Sequence, residues 1–210
     1  MKKFEYKHIS CPLPAGVEKM MTEVQKLGKQ GWELVSVCPT SSSEFGVDEL
    51  TAFLKKETIS AMMKIGDKMP SFEVKDQKGN TVKSEDFIGR NTIIYFYPKD
   101  NTSGCTAEAC SIRDNYEALK AAGYNVVGVS KDSEKSHAGF AEKYSLPFTL
   151  LADTTREMHE AFGAIGEKKM YGKTVVGTLR RTFIFDENGI LRRIIEKVDT
   201  KNAARQILEG

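Results

Sequence analysis

The sequence predicts an α/β fold with a mixed central sheet flanked by helices, preceded by a small α+β domain. Strands and helices alternate along residues 92–162, which is typical of a layered α/β fold. A hairpin pattern over residues 181–197 follows them and makes the sheet mixed. A separate set of apolar patterns occupies residues 1–57. We therefore expect two domains, 1–57 and 64–210, joined by a linker over residues 58–63.

The first domain has the pattern of a strand, a helix, a second strand and one ambiguous segment. Apolar residues at helical spacing predict the helix, and glycines end it. The last segment, DELTAFLKKE, has a composition that allows a helix, but its apolar residues alternate as in a strand. The predicted elements are a strand over 4–8, a helix over 17–27, a strand over 32–37, a loop over 39–46 and the ambiguous segment 48–57.

The second domain begins near Met63 and alternates strands with helices. FEVKD and TVK flank the turn signal DQKGN and predict a hairpin. TIIYFYP and YNVVGVS are apolar runs of the kind found in buried strands. The remaining predicted elements are a helical turn over 84–87, helices over 105–122, 133–144, 155–162 and 202–208, a strand at FTLLAD, a loop over 163–180, and the hairpin RTFIFDENGILRRIIEK turning at Glu187-Asn188-Gly189.

The composition is ordinary for a globular protein and gives no sign of a nucleic-acid or membrane partner. Hydrophobic residues make up 40% and charged residues 29% of the chain, and 31 basic residues against 29 acidic residues give a net charge of +2. This charge is too small for a nucleic-acid footprint. No apolar run reaches the length of a membrane span, and no signal-peptide core follows the start MKKFEYKHIS. We therefore expect a soluble, cytoplasmic protein.

Four cysteines, Cys11, Cys38, Cys105 and Cys110, carry the candidate chemistry. In a cytoplasmic protein thiols are reduced at rest, so any disulfide is catalytic or regulatory rather than structural. A zinc site is the alternative, but zinc needs about four Cys or His ligands, usually in close pairs. The three histidines are scattered and the Cys-x4-Cys spacing is wide. We expect neither a metal nor another cofactor.

Cys105 lies where a strand and the polar loop PKDNTSG lead into a helix. Free backbone N–H groups at a helix start favour negative charge, so a thiol there is more readily converted to the reactive thiolate. Gly104 allows a small ligand to approach the backbone closely. A buried, inert cysteine is the alternative, and the polar loop argues against full burial. The residues therefore predict a reactive thiol.

The stretch YFYPKDNTSGCTAEAC resembles the active-site motif of the peroxiredoxins, in particular their bacterioferritin-comigratory, or Q-type, class. Four other segments resemble the same class and occur in its order along the chain: GDKMPSFEV, KSHAGFAEKYSLPF, GEKKMYGKT and RRTFIFDENG. The resemblance covers about residues 63–210. It implies a thioredoxin-like fold and the thiol-dependent reduction of hydrogen peroxide and organic hydroperoxides.

The resemblance also implies roles for individual residues. Cys105 matches the peroxidatic cysteine, which attacks the peroxide and becomes a sulfenic acid. Thr102 matches the hydroxyl that holds the peroxide oxygens, and Pro98 matches the proline that shields the thiolate from water. Arg180 matches the arginine beside the thiolate, and counting back from the hairpin strand favours it over Arg181.

Cys110 matches the resolving cysteine that some members of this class carry in the same helix. The match implies an intramolecular Cys105–Cys110 disulfide that a thioredoxin-like partner reduces. On an α-helix, residues five apart have Cα atoms roughly 8 to 9 Å apart, beyond the ~7 Å that a disulfide tolerates without backbone movement. The helix must therefore unwind before the disulfide forms. The alternative is that Cys110 packs in the core beside Ala107 and Ala109.

Residues 1–57 lie outside that family, and KKFEYKHIS and LGKQGWELVSV are similar to a small bacterial domain of unassigned function. This domain could dimerise, dock a reductase or bind a ligand, so we expect a monomer or a homodimer. Cys11 and Cys38 could join the redox cycle, although isolated structural thiols fit better.

Two other functions stay open. A protein thiol-disulfide oxidoreductase usually has a Cys-x-x-Cys motif, which the sequence lacks. A redox-sensing module would use the disulfide to change a partner interface contributed by the first domain. A peroxide-consumption assay with a thioredoxin system separates the peroxidase from both.

Overall fold

The chain divides into two compact units, Met1–Ala61 and Met62–Gly210. The structure, a computed structural model, describes residues 3–40, 49–58, 63–170 and 173–210. The predicted linker over 58–63 and the predicted loop over 39–46 fall largely outside these described residues.

The first unit is a three-stranded antiparallel sheet with a helix packed on one face. Its elements are β1 (Lys3–Pro12), α1 (Val17–Gly28), β2 (Glu33–Thr40) and β3 (Glu49–Thr58). β3 lies in the middle and pairs with both neighbours, so the ambiguous segment is a strand. Met20 and Leu27 of α1 pack with Ala52 and Leu54 of β3, whereas Phe53 between them is exposed. This burial with a period of two residues is that of a strand.

The second unit is built on a seven-stranded mixed sheet. The strands of the whole unit, including two outside this sheet, are β4 (Glu73–Asp76), β5 (Thr81–Lys83), β6 (Asn91–Phe96), β7 (Tyr124–Ser130), β8 (Thr149–Ala152), β9 (Ile165–Met170), β10 (Lys173–Thr178), β11 (Arg181–Phe185) and β12 (Leu191–Ile195). The order in the sheet is β12-β11-β6-β7-β8-β4-β5, while β9 and β10 form a separate hairpin. β6, β7 and β8 are parallel, and the other pairs are antiparallel.

Helices cover both faces of this sheet. They are α2 (Ser103–Asp114), α3 (Tyr116–Ala121), α4 (Glu134–Tyr144), α5 (Glu157–Ala161) and α6 (Ala203–Leu208), with a short 3-10 turn at Ser84–Phe87. Alternate residues of β6 enter two separate apolar clusters. Ile93 and Tyr95 lie in the cluster that α2, α3, α4 and α6 cover, and Ile94 and Phe96 lie in the cluster that α5 covers.

Two predicted elements of this unit were wrong. The helix predicted over 105–122 begins at Ser103 and breaks at Asn115, whose backbone is not helical. The Asn115 side chain donates to the carbonyl oxygen of Ser111 at 2.9 Å, and such local bonds compete with the helix. The loop predicted over 163–180 contains the β9–β10 hairpin, whose lysines and glycines obscure the alternation that identifies a strand.

Candidate active site

α2 presents Cys105 in its first turn. Thr102 precedes the helix with an extended backbone (φ −84°, ψ 151°), and Cys105 is the third helical residue. The N–H of Thr106 bonds to the carbonyl oxygen of Thr102 at 2.8 Å, which leaves the N–H groups of residues 103–105 outside the helical ladder. Such free N–H groups, together with the helix dipole, make a helix start a favourable place for negative charge.

Cys105 is buried, with 1% of its surface exposed, so the expectation that the polar loop prevents full burial was wrong. Its side chain lies in the apolar cluster that also contains Tyr97 and Ala109. Thr102 and Ser103, at the outer side of the same turn, are exposed. The polarity of the loop therefore describes its outer surface and not the inner face of α2.

Arg180, between β10 and β11, contacts the sulfur of Cys105. Its Nη2 lies 3.2 Å from Sγ, and its Nη1 bonds to the carboxylate of Glu108. Burial by itself would lower the pKa of Arg180, but Glu108 and Cys105 outweigh burial and raise it, so the side chain stays charged. A Cβ at position 104 would be in ordinary van der Waals contact with Nη2, at 3.4 Å. Arg181 turns elsewhere, to the carbonyl oxygen of Gly163 at 2.9 Å.

Glu108 is a component of the site that the sequence analysis missed. Its side chain is fully buried, one turn after Cys105 on α2. Burial raises the pKa of Glu108 to about 7 despite the opposing effect of Arg180. Oε1 has no partner among the described residues, whereas Oε2 bonds to Arg180. The available sequence signal was an acidic residue three positions after Cys105, which on a helix shares its face.

Pro98 and Arg180 line one cavity of about 480 Å³, which also includes Leu179 and Val198. Thr102 lies on the same loop as Pro98, and its hydroxyl donates to the carbonyl oxygen of Lys99 at 3.0 Å. The structure thus places Pro98 and Arg180 at one cavity, with Thr102 at the start of the helix that carries Cys105.

Cys110 lies two turns into α2, half-buried, and α2 is continuous from Ser103 to Asp114. Cys105 and Cys110 are both free thiols. Five residues of helix separate them by about 7.5 Å of rise and about 140° of rotation. In this state the helix therefore holds them too far apart to bond.

Cys11 is buried and Cys38 exposed in the first unit, and both are free. Within the described ranges, His, Cys, Asp and Glu side chains form no group of three or more that could hold a metal ion. None of the helices in the part of the chain that the structure describes has the length and apolarity needed to cross a membrane.

Comparison with known proteins gives consistent matches to the second unit. Residues 65–194 match the AhpC/TSA family. The peroxiredoxin Bcp of Bacillus subtilis is 42% identical over 147 residues, which cover 70% of this chain and 94% of that protein. A putative peroxiredoxin of Mycobacterium tuberculosis is 50% identical over 124 residues, which cover 59% of this chain and 79% of that protein. The bacterioferritin comigratory protein of Xanthomonas campestris, whose structures address alkyl peroxide reduction, matches with a TM-score of 0.62 and 34% identity over 66% of this chain and 88% of its own.

These matches confirm the predicted α/β class and its thioredoxin-like fold. The family match over residues 65–194 spans the segment that contains Cys105, Cys110 and Arg180. The chain therefore belongs to the AhpC/TSA family, as a peroxiredoxin of the bacterioferritin-comigratory, or Q-type, class, and is a thiol-dependent peroxidase.

Proposed function

We propose that Cys105 is the nucleophile of this peroxidase and that Arg180 is the cation that holds it as a thiolate. The observation that carries the proposal is the 3.2 Å contact between Nη2 of Arg180 and Sγ of Cys105 in the first turn of α2. A fixed cation and free N–H groups both favour the thiolate, which is the nucleophilic form of cysteine.

The first step transfers one oxygen from the peroxide to sulfur. The thiolate of Cys105 attacks the terminal oxygen of ROOH, so that an S–O bond forms while the O–O bond breaks. The sulfur gives up two electrons and becomes a sulfenic acid, and the displaced RO⁻ takes a proton and leaves as an alcohol, or as water from hydrogen peroxide. Arg180 stabilises the charge on the displaced oxygen. Thr102 orients the peroxide, because its hydroxyl keeps lone pairs free for accepting while it donates to Lys99.

The cavity beside Arg180 supports organic hydroperoxides as substrates in addition to hydrogen peroxide. Its volume of about 480 Å³ lies in the range of small-molecule sites and exceeds what hydrogen peroxide needs. Leu179 and Val198 contribute apolar surface to its lining, beside the charged residues Arg181, Glu196 and Lys197. Pro98, at the same cavity, limits the access of water to the thiolate.

The second step resolves the sulfenic acid. The thiol of Cys110 attacks the sulfur of Cys105, a disulfide forms, and water leaves. Because the intact helix separates the two residues, the first turns of α2 must unwind in this step. Arg180 then releases Cys105, and the helix rewinds when the disulfide is reduced.

The third step restores both thiols by exchange with a dithiol protein of the thioredoxin type. That protein is oxidised to its own disulfide as Cys105 and Cys110 are reduced. A supply of such reductants is typical of the cytoplasm, which we propose as the working compartment. We propose a monomer or a homodimer, with residues 1–57 serving in dimerisation or in docking of the reductant.

The experiment is a peroxide-consumption assay with a thioredoxin system. Cys105→Ser should abolish turnover, and Cys110→Ser should consume about one equivalent of peroxide and then stall as the sulfenic acid. Cys38→Ser, at an exposed thiol of the first unit, is the matched control and should turn over normally. Normal turnover by Cys105→Ser would show that another group is the nucleophile.

A further inference from the structure

Asp100 anchors the loop that leads into α2. It lies between β6 and Thr102, and 5% of its surface is exposed. Its carboxylate accepts hydrogen bonds from the Tyr97 hydroxyl (2.8 Å), the Ser136 hydroxyl (2.7 Å) and Nδ1 of His137 (2.9 Å). Ser136 and His137 belong to the first turn of α4, so these bonds tie the loop to that helix.

His137 is a buried hydrogen-bond partner of Asp100. Its ring is fully buried, and Nε2 lies 3.1 Å from the carbonyl oxygen of Leu151. The two ring nitrogens therefore join the loop, through Asp100, to β8, through the Leu151 carbonyl. Burial by itself would raise the pKa of Asp100, but the hydrogen bond and charge of His137, with the Ser136 and Tyr97 hydroxyls, outweigh burial and lower it. Removing one partner of such a buried pair is strongly destabilising, because the other charge stays buried.

The backbone of the loop is held as well. The N–H of Asp100 donates to the carboxylate of Asp132 at 2.7 Å, and the N–H of Tyr97 donates to the carbonyl oxygen of Val129 at 3.0 Å. The hydroxyl of Ser130 holds the Asp132 carboxylate in turn, at 2.9 Å. These two amides, of Tyr97 and Asp100, therefore report whether the loop stays attached.

A second anchor lies at the other end of α2. Arg113 donates from Nη1 to the carbonyl oxygen of Tyr144, the last residue of α4, at 2.8 Å. Between the two anchors, hydrogen bonds from α2 side chains lead, among the described residues, to Arg180 and to the backbone N–H of Ala204. The bond from Ala204 to the Ser111 hydroxyl is long, at 3.4 Å. α4 therefore holds both ends of a segment whose middle has few polar ties.

We propose that Asp100 and His137 are positioning residues that fix the N-terminal limit of unwinding in α2, and that Arg113 fixes its C-terminal limit. This inference rests on the proposed resolution by Cys110, which requires α2 to unwind. With both limits tied to α4, unwinding is confined to residues 102–112. The loop before the helix then keeps its place, so that only the helix must refold after each reduction.

The test is amide hydrogen exchange on the peroxide-oxidised full chain, after peptide mapping of its disulfide. Exchange should accelerate about a hundredfold or more over residues 102–112, because unwound helix loses its protection, while the amides of Tyr97 and Asp100 stay protected. The inference would be overturned if the amides of Tyr97 and Asp100 lost as much protection as those of residues 102–112. If no Cys105–Cys110 disulfide forms, the proposed resolution is wrong and the inference falls with it. If the disulfide forms, exchange decides the inference alone.

A pair of matched variants separates positioning from general stability. His137→Gln removes the imidazole that bonds to Asp100. His159→Gln removes the imidazole of a second fully buried His–Asp pair, His159 Nδ1 with Asp153 Oδ2 at 2.6 Å, which holds α5. On oxidation, His137→Gln should lose about tenfold or more of the protection at the loop amides, and His159→Gln should keep it. Equal losses in both variants would overturn the inference.

Recovery of activity gives a second readout. After reduction by the dithiol protein, His137→Gln should regain peroxide reactivity more slowly than the wild type, because its loop must also refold. If His137→Gln fails to fold, Ser136→Ala removes one hydroxyl bond to Asp100 and should give a smaller loss of protection at the same amides. Wild-type protection of these amides in oxidised Ser136→Ala would then count against the inference.

Discussion

Glu108 gives a prediction that opposes the usual outcome of a mutation at a buried site. Glu108→Gln keeps the shape of the side chain and a hydrogen-bond acceptor for Arg180, but it cannot ionise. Because burial raises the pKa of Glu108 to about 7, the folded protein holds this proton over a pH range in which the unfolded chain has lost it. We therefore expect Glu108→Gln to be more stable than the wild type at pH 8, and to lie within about 1 kcal/mol of it at pH 5.

The magnitude follows from the two pKa values of Glu108. Its ordinary value of 4.5 applies to the unfolded chain, and the value of about 7 applies to the folded protein. Between them the folded state binds the extra proton, so the free energy of unfolding falls as the pH rises. Each pH unit in that interval is worth about 1.4 kcal/mol, which gives about 3 kcal/mol by pH 8. The substitution removes this loss, so the variant should gain up to about 3 kcal/mol there.

The assay is guanidinium unfolding of the reduced protein at pH 5 and pH 8, followed by far-UV circular dichroism. The single tryptophan, Trp32, lies in the first unit, so its fluorescence records that unit separately. The difference between variant and wild type should grow with pH in the transition of the second unit only. Glu117→Gln is the matched control, since Glu117 is exposed on α3 and its ion pair with Lys120 is a surface pair worth under about 1 kcal/mol.

A difference in stability that is the same at pH 5 and pH 8 would refute the reasoning. It would mean that Glu108 is ionised in the folded protein at both values, held by Arg180 strongly enough to cancel its burial. The same conclusion would follow if Glu108→Gln were less stable than the wild type at pH 8.

The remaining predictions concern the reaction and the first unit. Arg180→Ala should slow the reaction with peroxide by about a hundredfold or more and move its pH–rate profile to higher pH. An unchanged profile in stopped-flow assays would make Arg181 the candidate for the arginine that acts on Cys105. Thr102→Val should lower the rate by about tenfold to a hundredfold without moving the profile, and a shifted profile would give Thr102 a role in holding the thiolate. A chain that begins near residue 61 should fold and keep its reaction with peroxide. If such a chain is folded by circular dichroism but unreactive towards peroxide, the first unit completes the site.

Local signals account for the parts of the fold that could be predicted. β6 and β7 are buried on both faces and therefore read as uninterrupted apolar runs. The start of α2 was placed within two residues because its polar loop and N-terminal Thr102 are local features. The β9–β10 hairpin gave no such signal, since its two strands pair with each other and lie outside the main sheet in the part of the chain that the structure describes.

Contacts between distant parts of the chain account for what could not be predicted. Glu108 and Arg180 are 72 positions apart, and Asp100 and His137 are 37 apart. Each residue alone reads as an ordinary polar side chain of a helix or a loop. These partners come together only through the order of the sheet, in which β6 lies between β11 and β7. Arg180 could be assigned from the family resemblance, whereas Glu108 required the fold.

The position of Glu108 shows how stability and chemistry oppose each other in this site. A buried carboxylate with a pKa of about 7 lowers the free energy of unfolding at neutral and higher pH, so its presence needs a reason other than stability. Its contact with Nη1 of Arg180 supplies that reason, because it fixes the guanidinium with Nη2 directed at the Cys105 sulfur. Preorganised charge of this kind lowers a reaction barrier only if it is held before the reaction begins. Glu108→Gln keeps the acceptor but loses the negative charge that holds the guanidinium at pH 8, so this variant should react more slowly with peroxide at the pH where it is more stable. A variant that gained both stability and rate would separate Glu108 from the orientation of Arg180.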